Sequence, residues 1–210
     1  TRKIRPLIGY LPQEFSLYPD MSVLEIMRYL AALSNLPMEV QRQRIPDLLQ
    51  RVNLWEDRGK KVRKLSGGMK RKLMVCRALL TEPEILLLDE PTAGMDAISR
   101  RQMWGLLRQL NEQGLTILLT THYIEEAQSL CGRVALMNGG KLSEIDTPAH
   151  LIENLGAYAI DETLPDGMHS RYFHERSEAI ACLSSLTGQC TLRDTTLEDV
   201  FVEQIGKLLS

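Results

Sequence analysis

An apolar run of strand length that ends on two adjacent carboxylates constrains this chain more than any other feature. The run is Ile85-Leu86-Leu87-Leu88, and Asp89 and Glu90 follow it directly. Continuous apolar strands are typical of buried parallel sheets, which present their chemistry at the carboxyl ends of the strands. Asp89 would suit a Mg²⁺ ion with its water shell. Glu90 would point elsewhere and could accept a proton from an attacking water.

A second feature is a helix start with exposed backbone amides, Leu65-Ser66-Gly67-Gly68-Met69. A hydroxyl and glycine amides at the amino end of a helix form a natural anion cradle. Further along this helix, apolar residues recur at helical spacing and predict a core-facing stripe. The stripe comprises Met69, Leu73, Cys76 and Leu80. The functional prediction therefore depends on the helix start alone.

Two more short strands are predicted, and each is followed by a polar side chain. Residues 7–11 form the first strand, Pro12 stops it, and Gln13 begins a loop. Residues 115–120 form the other, and His122 follows its carboxyl end. The alternation of strands and helices predicts a parallel α/β core. A lone histidine would more often be structural, but its place one strand after the carboxylate pair favours a functional role.

These motifs, in this order, resemble the nucleotide-binding subunit of an ATP-binding-cassette (ABC) transporter. The first three matches are the signature motif at residues 65–69, the Walker B strand with its catalytic glutamate at residues 85–90, and the D-loop at Gly94-Met95-Asp96. Gln13 matches the Q-loop glutamine and His122 the switch histidine. Five ordered motifs make the resemblance specific, and it covers about residues 4 to 150.

The resemblance implies a catalytic centre in this chain that binds ATP and Mg²⁺. Gln13 and Asp89 would hold the Mg²⁺ ion. Glu90 would orient and deprotonate the attacking water, and His122 would bind the γ-phosphate. Gln13 counts with Glu90 and His122 as a catalytic residue. Such a site works mainly by positioning and electrostatics.

The resemblance also implies that two ABC ATPase subunits, identical or different, pair head to tail. Ser66, Gly67 and Gly68 would then bind the ATP that the second subunit holds. Asp96 would connect the two sites across the interface. The expected activity is that of a translocase-class ATPase, which converts ATP binding and hydrolysis into movement of a membrane permease.

The end of the chain indicates the kind of permease. Thr195-Thr196-Leu197-Glu198-Asp199-Val200-Phe201 resembles the tail of the branch that exports drugs, lipids and polysaccharides through ABC-2-type permeases. No apolar run approaches the ~20 residues that cross a bilayer, so the permease would be another chain. We expect a peripheral subunit at the cytoplasmic face of the cell membrane. Phe15, Leu17 and Tyr18 suit contact with the permease or burial in the core, and both interpretations stay open.

One motif of the family, Gly-x-x-x-x-Gly-Lys-Ser/Thr, is absent from the sequence. Gly-Lys pairs begin at residues 59, 140 and 206, but none has both the required upstream glycine and a following Ser or Thr. The chain therefore resembles the C-terminal part of a cassette, and we expect it to bind ATP weakly by itself. In the family the phosphate-loop strand lies beside the strand leading to His122. We therefore also expect an exposed sheet edge and self-association.

The predicted fold class is α/β: a partial P-loop NTPase (RecA-like) parallel-sheet core, an inserted all-helical signature subdomain and a small C-terminal α+β appendage. Residues 1–155 would form the ATPase domain, with the helical subdomain at about 20–80, and residues 156–210 the appendage. Ser22 and Glu25 form a capping box, whereas Pro46 should start or kink the second helix. A hairpin is predicted across the two-residue turn Gly139-Gly140, and residues 148–155 are predicted to form a short helix. The stretch 161–175 is predicted to be irregular.

Net charge and cysteine content indicate which partners and cofactors the chain does not favour. The net charge of −2 implies no broad attraction to nucleic acid, and the basic cluster at residues 60–72 is interpreted as a solvated face. Four cysteines without a C-x-x-C pair support neither zinc nor redox chemistry, and Cys76 is expected in the core.

Two alternative functions stay open. One is a soluble ABC protein acting on DNA or ribosomes, and the short interval between Gln13 and Ser66 argues against the DNA-linked group. The other is a non-catalytic ABC-like binding module.

Overall fold

The structure is a computed structural model that describes residues 4, 7–14, 17–186 and 188–209. It divides into two compact units between His122 and Tyr123. Within the described residues, no helix combines the length and apolar character that a membrane span needs. Phe15, one of the aromatic residues of the predicted contact loop, lies outside the described residues.

The first unit is built on a parallel three-stranded sheet in the order β1-β2-β3. The strands are β1 (Ile8–Leu11), β2 (Ile85–Asp89) and β3 (Thr116–Thr120). The register sets Leu11 beside Leu88, and Asp89 beside Thr120. The carboxyl ends of all three strands therefore lie at one edge, as predicted.

Of the helices that the described residues of this unit form, all but one lie between β1 and β2. These are α1 (Val23–Leu33), α2 (Met38–Arg51), a 3₁₀ turn (Val62–Lys64) and α3 (Gly67–Leu79), and α4 (Ala97–Glu112) follows β2. The predicted capping box of α1 is confirmed, because Ser22 Oγ accepts from the Glu25 amide at 3.3 Å and Glu25 Oε2 accepts from the Ser22 amide at 2.7 Å. The expectation that Pro46 starts α2 is wrong, since the helix begins at Met38 and continues past the proline.

Helix α3 is buried on more sides than its predicted stripe. Leu73, Cys76 and Leu80 are buried, and so are Met74 and Val75 on other faces. Burial raises the pKa of the Cys76 thiol, which confirms it as a core residue. The helix thus fills the space between the sheet and the other helices of this unit, and its amino end is fixed relative to the strand tips.

The sheet has one covered and one uncovered face. Leu11, Leu86 and Leu88 point to the covered face and are buried. Tyr10, Leu87 and Leu118 are neighbours in the register on the opposite face, where Tyr10 is 53% and Leu118 64% exposed. Parallel sheets normally have both faces covered, so this face is an apolar surface without a cover in the described chain.

The second unit contains a hairpin, a three-stranded antiparallel sheet and four helices. The hairpin joins β4 (Val134–Asn138) to β5 (Lys141–Asp146) through Gly139-Gly140, both with positive φ, as predicted. The sheet has the order β7-β6-β8, with β6 (Tyr158–Leu164), β7 (Gly167–Phe173) and β8 (Cys190–Asp194). The helices are α5 (Ile124–Leu130), α6 (Pro148–Leu155), α7 (Arg176–Ser185) and α8 (Leu197–Leu209).

The prediction of an irregular stretch at residues 161–175 is wrong, because most of it belongs to the hairpin formed by β6 and β7. Polar residues in these strands find charged partners instead of water. Asp161 Oδ2 lies 2.6 Å from Arg193 Nε, and Glu162 Oε2 lies 2.9 Å from Arg171 Nη2. Arg193 also contacts Asp199 at the start of α8, at 2.8 Å. The polar composition therefore reflects ion pairs across a sheet rather than a loop.

The compact units do not follow the domain boundary predicted near residue 155. Helix α6, which follows the hairpin of β4 and β5, packs with α5 and α8 around a small apolar core. This core comprises Val134, Leu136, Leu151, Leu197 and Val200. This core joins segments on both sides of residue 155. The division into an ATPase domain at residues 1–155 and an appendage at residues 156–210 stays a prediction.

Candidate active site at the carboxyl edge of the parallel sheet

The side chains predicted to act together follow the three strands at one edge of the sheet. Asp89 is the last residue of β2, and Glu90 comes directly after it. Gln13 follows β1 by two residues and His122 follows β3 by two. The register of the strands therefore accounts for their common location.

Asp89 is fixed by the neighbouring strand. Thr120 Oγ1 donates to Asp89 Oδ1 at 2.5 Å. A carboxylate has two oxygens with several acceptor positions, so this bond orients the group and leaves Oδ2 for another ligand. Thr120 was not predicted as a site residue, although its place next to Asp89 follows from the strand register.

Glu90 has an unusual backbone and a buried carboxylate. Its φ of 51° lies in the left-handed region, which a residue other than glycine rarely adopts. Its amide donates to Thr120 O at 3.0 Å. Its Oε2 lies 2.7 Å from His122 Nδ1, with the glutamate side chain 14% and the histidine side chain 61% exposed. Apart from this approach to the ring, Oε2 finds no hydrogen-bond donor among the described residues.

The helix start at Ser66 has the features of an anion cradle. Ser66 is the N-cap of α3, and its Oγ accepts from the Met69 amide at 3.2 Å. Ser66 and Gly67 are exposed, and no atom lies within 4 Å of where a Cβ on Gly67 would stand. Gly68 is buried against Ser99 of α4, whose Oγ would lie 3.3 Å from an added Cβ. An anion could thus approach the turn closely at Gly67.

Asp96 has a local structural role in addition to its predicted one. It is the N-cap of α4, and it accepts from the Ser99 amide at 2.9 Å and from Ser99 Oγ at 2.7 Å. These bonds from Ser99 lower the pKa of Asp96. Since Ser99 also contacts Gly68, the D-loop and the signature turn are joined through one serine.

Arg71 is a site residue that the sequence analysis missed. The basic cluster was interpreted as a solvated face, but Arg71 is only 5% exposed, so that interpretation is wrong for this residue. Its Nη1 donates to Pro12 O at 3.1 Å and to Gln13 O at 2.9 Å. The signal that could have found it was the helical spacing, which places Arg71 among apolar residues of α3.

The residues at this edge fit a divalent cation and a phosphate ester. Mg²⁺ prefers one or two carboxylates together with phosphate and water oxygens, and Asp89 offers one carboxylate oxygen. Glu90 supplies a buried carboxylate oxygen that a polar substrate could approach. Within the described residues, no group of three or more acidic, histidine or cysteine side chains could hold a metal ion by itself.

The fold and these motifs define a class of protein. The model of a family described as "ABC transporter" matches residues 1–93. "Nod factor export ATP-binding protein I" of Burkholderia pseudomallei (strain 1710b) is 37% identical over 99% of this chain and 75% of its own length. The chain therefore belongs to the ATP-binding proteins of ABC transporters.

Further comparisons agree. "Linearmycin resistance ATP-binding protein LnrL" of Bacillus subtilis (strain 168) is 34% identical over 82% of this chain and 55% of its own length. The solved structure of cbiO1 from Clostridium perfringens, described as part of the ABC transporter complex cbiONQ, is 30% identical. It has a TM-score of 0.63 and covers 70% of this chain and 59% of its own.

A dimeric post-hydrolysis structure of the ATP-binding cassette MJ0796, bound to ADP and Pi, is 29% identical with a TM-score of 0.61. It covers 70% of this chain and 65% of its own. The predicted α/β P-loop NTPase fold class and the resemblance to the drug-exporter branch are both confirmed by these relatives.

Proposed function

We propose that this chain is the ATP-hydrolysing subunit of an ABC-type exporter, and that its ATP cycle drives a separate membrane permease. The observation that supports this most strongly is the contact between Glu90 and His122, 2.7 Å apart, beside an Asp89 that is oriented by Thr120. The left-handed backbone at Glu90 adds to this, since backbone conformations of this kind cluster at active sites.

In this proposal the chain's own residues position the reactants. Glu90 orients the attacking water and accepts its proton; its Oε2 is buried and, apart from the His122 ring, has no hydrogen-bond donor among the described residues. His122 contacts the γ-phosphate, and its exposed ring is open to that ligand. Gln13 and Asp89 hold Mg²⁺, which when bound neutralises charge on the phosphate oxygens.

The signature turn serves a second subunit. Ser66 and Gly67 are exposed, and Gly67 is open to an approaching anion. We propose that Ser66 to Gly68 bind the ATP of a second ABC ATPase subunit in a head-to-tail pair, with Asp96 at the interface. The dimer described for MJ0796 supports a paired arrangement.

The loop after Gln13 is the proposed contact with an ABC-2-type permease at the cytoplasmic face of the membrane. Tyr18 is exposed and makes an edge-to-face contact with Tyr29 of α1, with ring centroids 5.5 Å apart. Leu17 is half-buried. An exposed aromatic pair at a helix is the kind of surface that protein partners bind, and it favours the interface interpretation for Tyr18.

We propose weak ATP binding for these 210 residues by themselves. The sequence lacks Gly-x-x-x-x-Gly-Lys-Ser/Thr, whose lysine and amides supply most of the triphosphate contacts in this class of ATPase. Isothermal titration with Mg-ATP should therefore give no dissociation constant in the micromolar range. Micromolar binding would contradict this proposal.

The proposed chemistry is tested by Glu90→Gln in the assembled exporter. The amide keeps the shape of the side chain but cannot accept a proton, so phosphate release should fall at least about 100-fold while ATP binding is retained. Glu84→Gln is the matched control, because Glu84 is exposed at the opposite end of the same strand. Turnover within a few-fold of the wild type in Glu90→Gln would refute the role of Glu90.

A further inference from the structure

Arg71 joins two parts of the site that the chain keeps far apart in sequence. It lies in α3, five residues after Ser66, and it is buried although it belongs to a run of basic residues. Lys70, its neighbour in that run, is half-exposed. The burial is therefore specific to Arg71 and is not a property of the basic segment.

The guanidinium is held by backbone oxygens of the Q-loop. A single nitrogen, Nη1, donates to Pro12 O and Gln13 O at 3.1 and 2.9 Å. Hydrogen bonds from a charged donor are stronger than those between neutral groups. One acceptor belongs to Gln13, whose side chain the active site needs, and the other to Pro12, the residue before it. Arg71 thus fixes the backbone at Gln13 and leaves the exposed amide side chain available.

The charge of Arg71 is also attracted to Asp89 and Glu90. Burial lowers the pKa of Arg71, and attraction to Glu90 and Asp89 opposes that effect. Two adjacent carboxylates repel each other when both are charged, and a buried cation between α3 and the strand tips offsets this repulsion. The same side chain therefore contacts the Q-loop and balances the charge of the carboxylate pair.

We propose that Arg71 is a positioning residue that couples the signature turn to Gln13. This inference rests on the proposed function. Ser66 to Gly68 would contact the ATP of the second subunit, and α3 carries any displacement of that turn to the Gln13 backbone through the guanidinium. Occupancy of one site would in this way set the position of the glutamine in the other.

The structural half of this inference is tested by NMR order parameters of the Gln13 and Glu14 amides in the 210-residue chain without nucleotide. Arg71→Met removes both bonds, and the order parameters should fall from the rigid range of about 0.85 to below about 0.6. Arg71→Lys keeps the charge but loses the planar fork, so it should give an intermediate value and remain folded even where Arg71→Met does not. Lys70→Met is the matched control and should leave both amides unchanged.

Unchanged order parameters at Gln13 and Glu14 in both Arg71 variants would overturn the inference. A uniform decrease across β1, β2 and β3 would also overturn it, because that result indicates a general structural role. The coupling half is tested in the assembled exporter, where Arg71→Lys should lower kcat for ATP about tenfold and leave KM within about twofold. A change confined to KM would overturn it, since Arg71 contacts no phosphate in this scheme.

The two proposals fail separately. If Glu90→Gln abolishes turnover and the Arg71 variants leave the Q-loop rigid, the proposed function stands and the role of Arg71 is refuted. If Glu90→Gln retains turnover while Arg71→Met loosens Gln13, the proposed chemistry is refuted and the link from α3 to the Q-loop stands.

Discussion

At the scale of single residues, Glu90 shows how the site departs from relaxed geometry. A left-handed backbone at a non-glycine residue costs about 1–2 kcal/mol, and Glu90 adopts it with φ of 51°. The amide bond to Thr120 O and the contact with His122 hold the residue there. The two acidic groups therefore have different partners: Glu90 contacts His122, and Asp89 accepts from Thr120 Oγ1.

A pH dependence is expected at a second residue pair, His150 and Asp146, at the junction of β5 and α6. His150 Nδ1 lies 2.5 Å from Asp146 Oδ2. The hydrogen bond that His150 Nδ1 donates to Asp146 Oδ2 raises the pKa of His150, and the same bond lowers the pKa of Asp146. The histidine's contribution to stability is present below its unfolded pKa of about 6.5 and is lost as pH rises through the raised folded pKa. The aspartate's contribution is present above about 3.9 and is lost as pH falls through the lowered folded pKa.

We therefore predict that His150→Gln lowers the thermal midpoint of the chain at pH 5–6 and that this difference shrinks as pH rises above neutrality. Thermal unfolding across pH 4 to 9 measures it. In an Asp146→Asn background, the difference between His150 and His150→Gln should vanish at every pH. A difference that is independent of pH would show that the pair does not titrate as described.

At the scale of elements, the closest approach in the first unit is between β1 and the end of α3. A Cβ added at Gly9 would lie 2.6 Å from Ala78 O, 3.0 Å from Leu86 Cδ1 and 3.0 Å from Pro83 Cγ. The nearest atom is backbone, so the neighbour cannot yield by a change of rotamer. The strand can therefore pack this closely only because residue 9 has no side chain.

Gly9→Ala should destabilise the chain by about 1–3 kcal/mol through overpacking. Gly105→Ala is the matched comparison, because Gly105 lies inside α4 and no atom lies within 4 Å of its added Cβ. That substitution should stabilise the chain by about 0.5–1 kcal/mol. Chemical denaturation of the three proteins measures both effects. Equal stabilities of the Gly9→Ala variant and the wild type would show that β1 and α3 can separate without cost.

Helices, strands and turns that carry a local signal, such as hydrophobic periodicity, a cap or a glycine turn, could be predicted from the sequence. The strands of the parallel sheet, the capping box at Ser22, the glycine hairpin at residues 139–140 and the helix after Thr147 all carry local signals, and all are present. The strands β6 and β7 were missed because Asp161 and Glu162 are paired with arginines on the neighbouring strands, Arg193 on β8 and Arg171 on β7. Such partners depend on strand pairing, which a local pattern does not contain.

The site was predicted to a similar extent and for the same reason. Asp89, Glu90 and His122 follow strand ends, so a parallel sheet brings them together whatever the rest of the chain does. Arg71 was not found, because its burial depends on how α3 lies across the tip of β1. The Asp89 contact with Thr120 required the register of β2 and β3.

At the scale of the whole molecule, we expect the uncovered face of the parallel sheet to bring copies of the chain together in solution. Leu118 lies on β3, an edge strand of the described sheet, and it is 64% exposed beside Leu87. An exposed edge strand with apolar side chains pairs readily with another chain. Self-association of the 210 residues through this surface is therefore expected.

Leu118→Lys should weaken this association at least about tenfold, because a charge on the edge strand opposes pairing with a second copy. Sedimentation velocity over a range of protein concentrations measures it. Met168→Lys is the matched control, since Met168 is a 70% exposed apolar residue of the hairpin formed by β6 and β7 in the second unit. A wild-type chain that sediments as a monomer at every concentration would contradict the prediction.

Three sets of hydrogen bonds hold the start of α8. The Arg193 guanidinium donates to both Asp199 and Asp161. The Thr196 amide donates to Asp199 Oδ2 at 2.8 Å, and the Leu197 amide donates to Gln128 Oε1 at 2.9 Å. We therefore expect local unfolding of α8 to begin at the end away from Leu197 and to leave the contact of this helix with β8 until last.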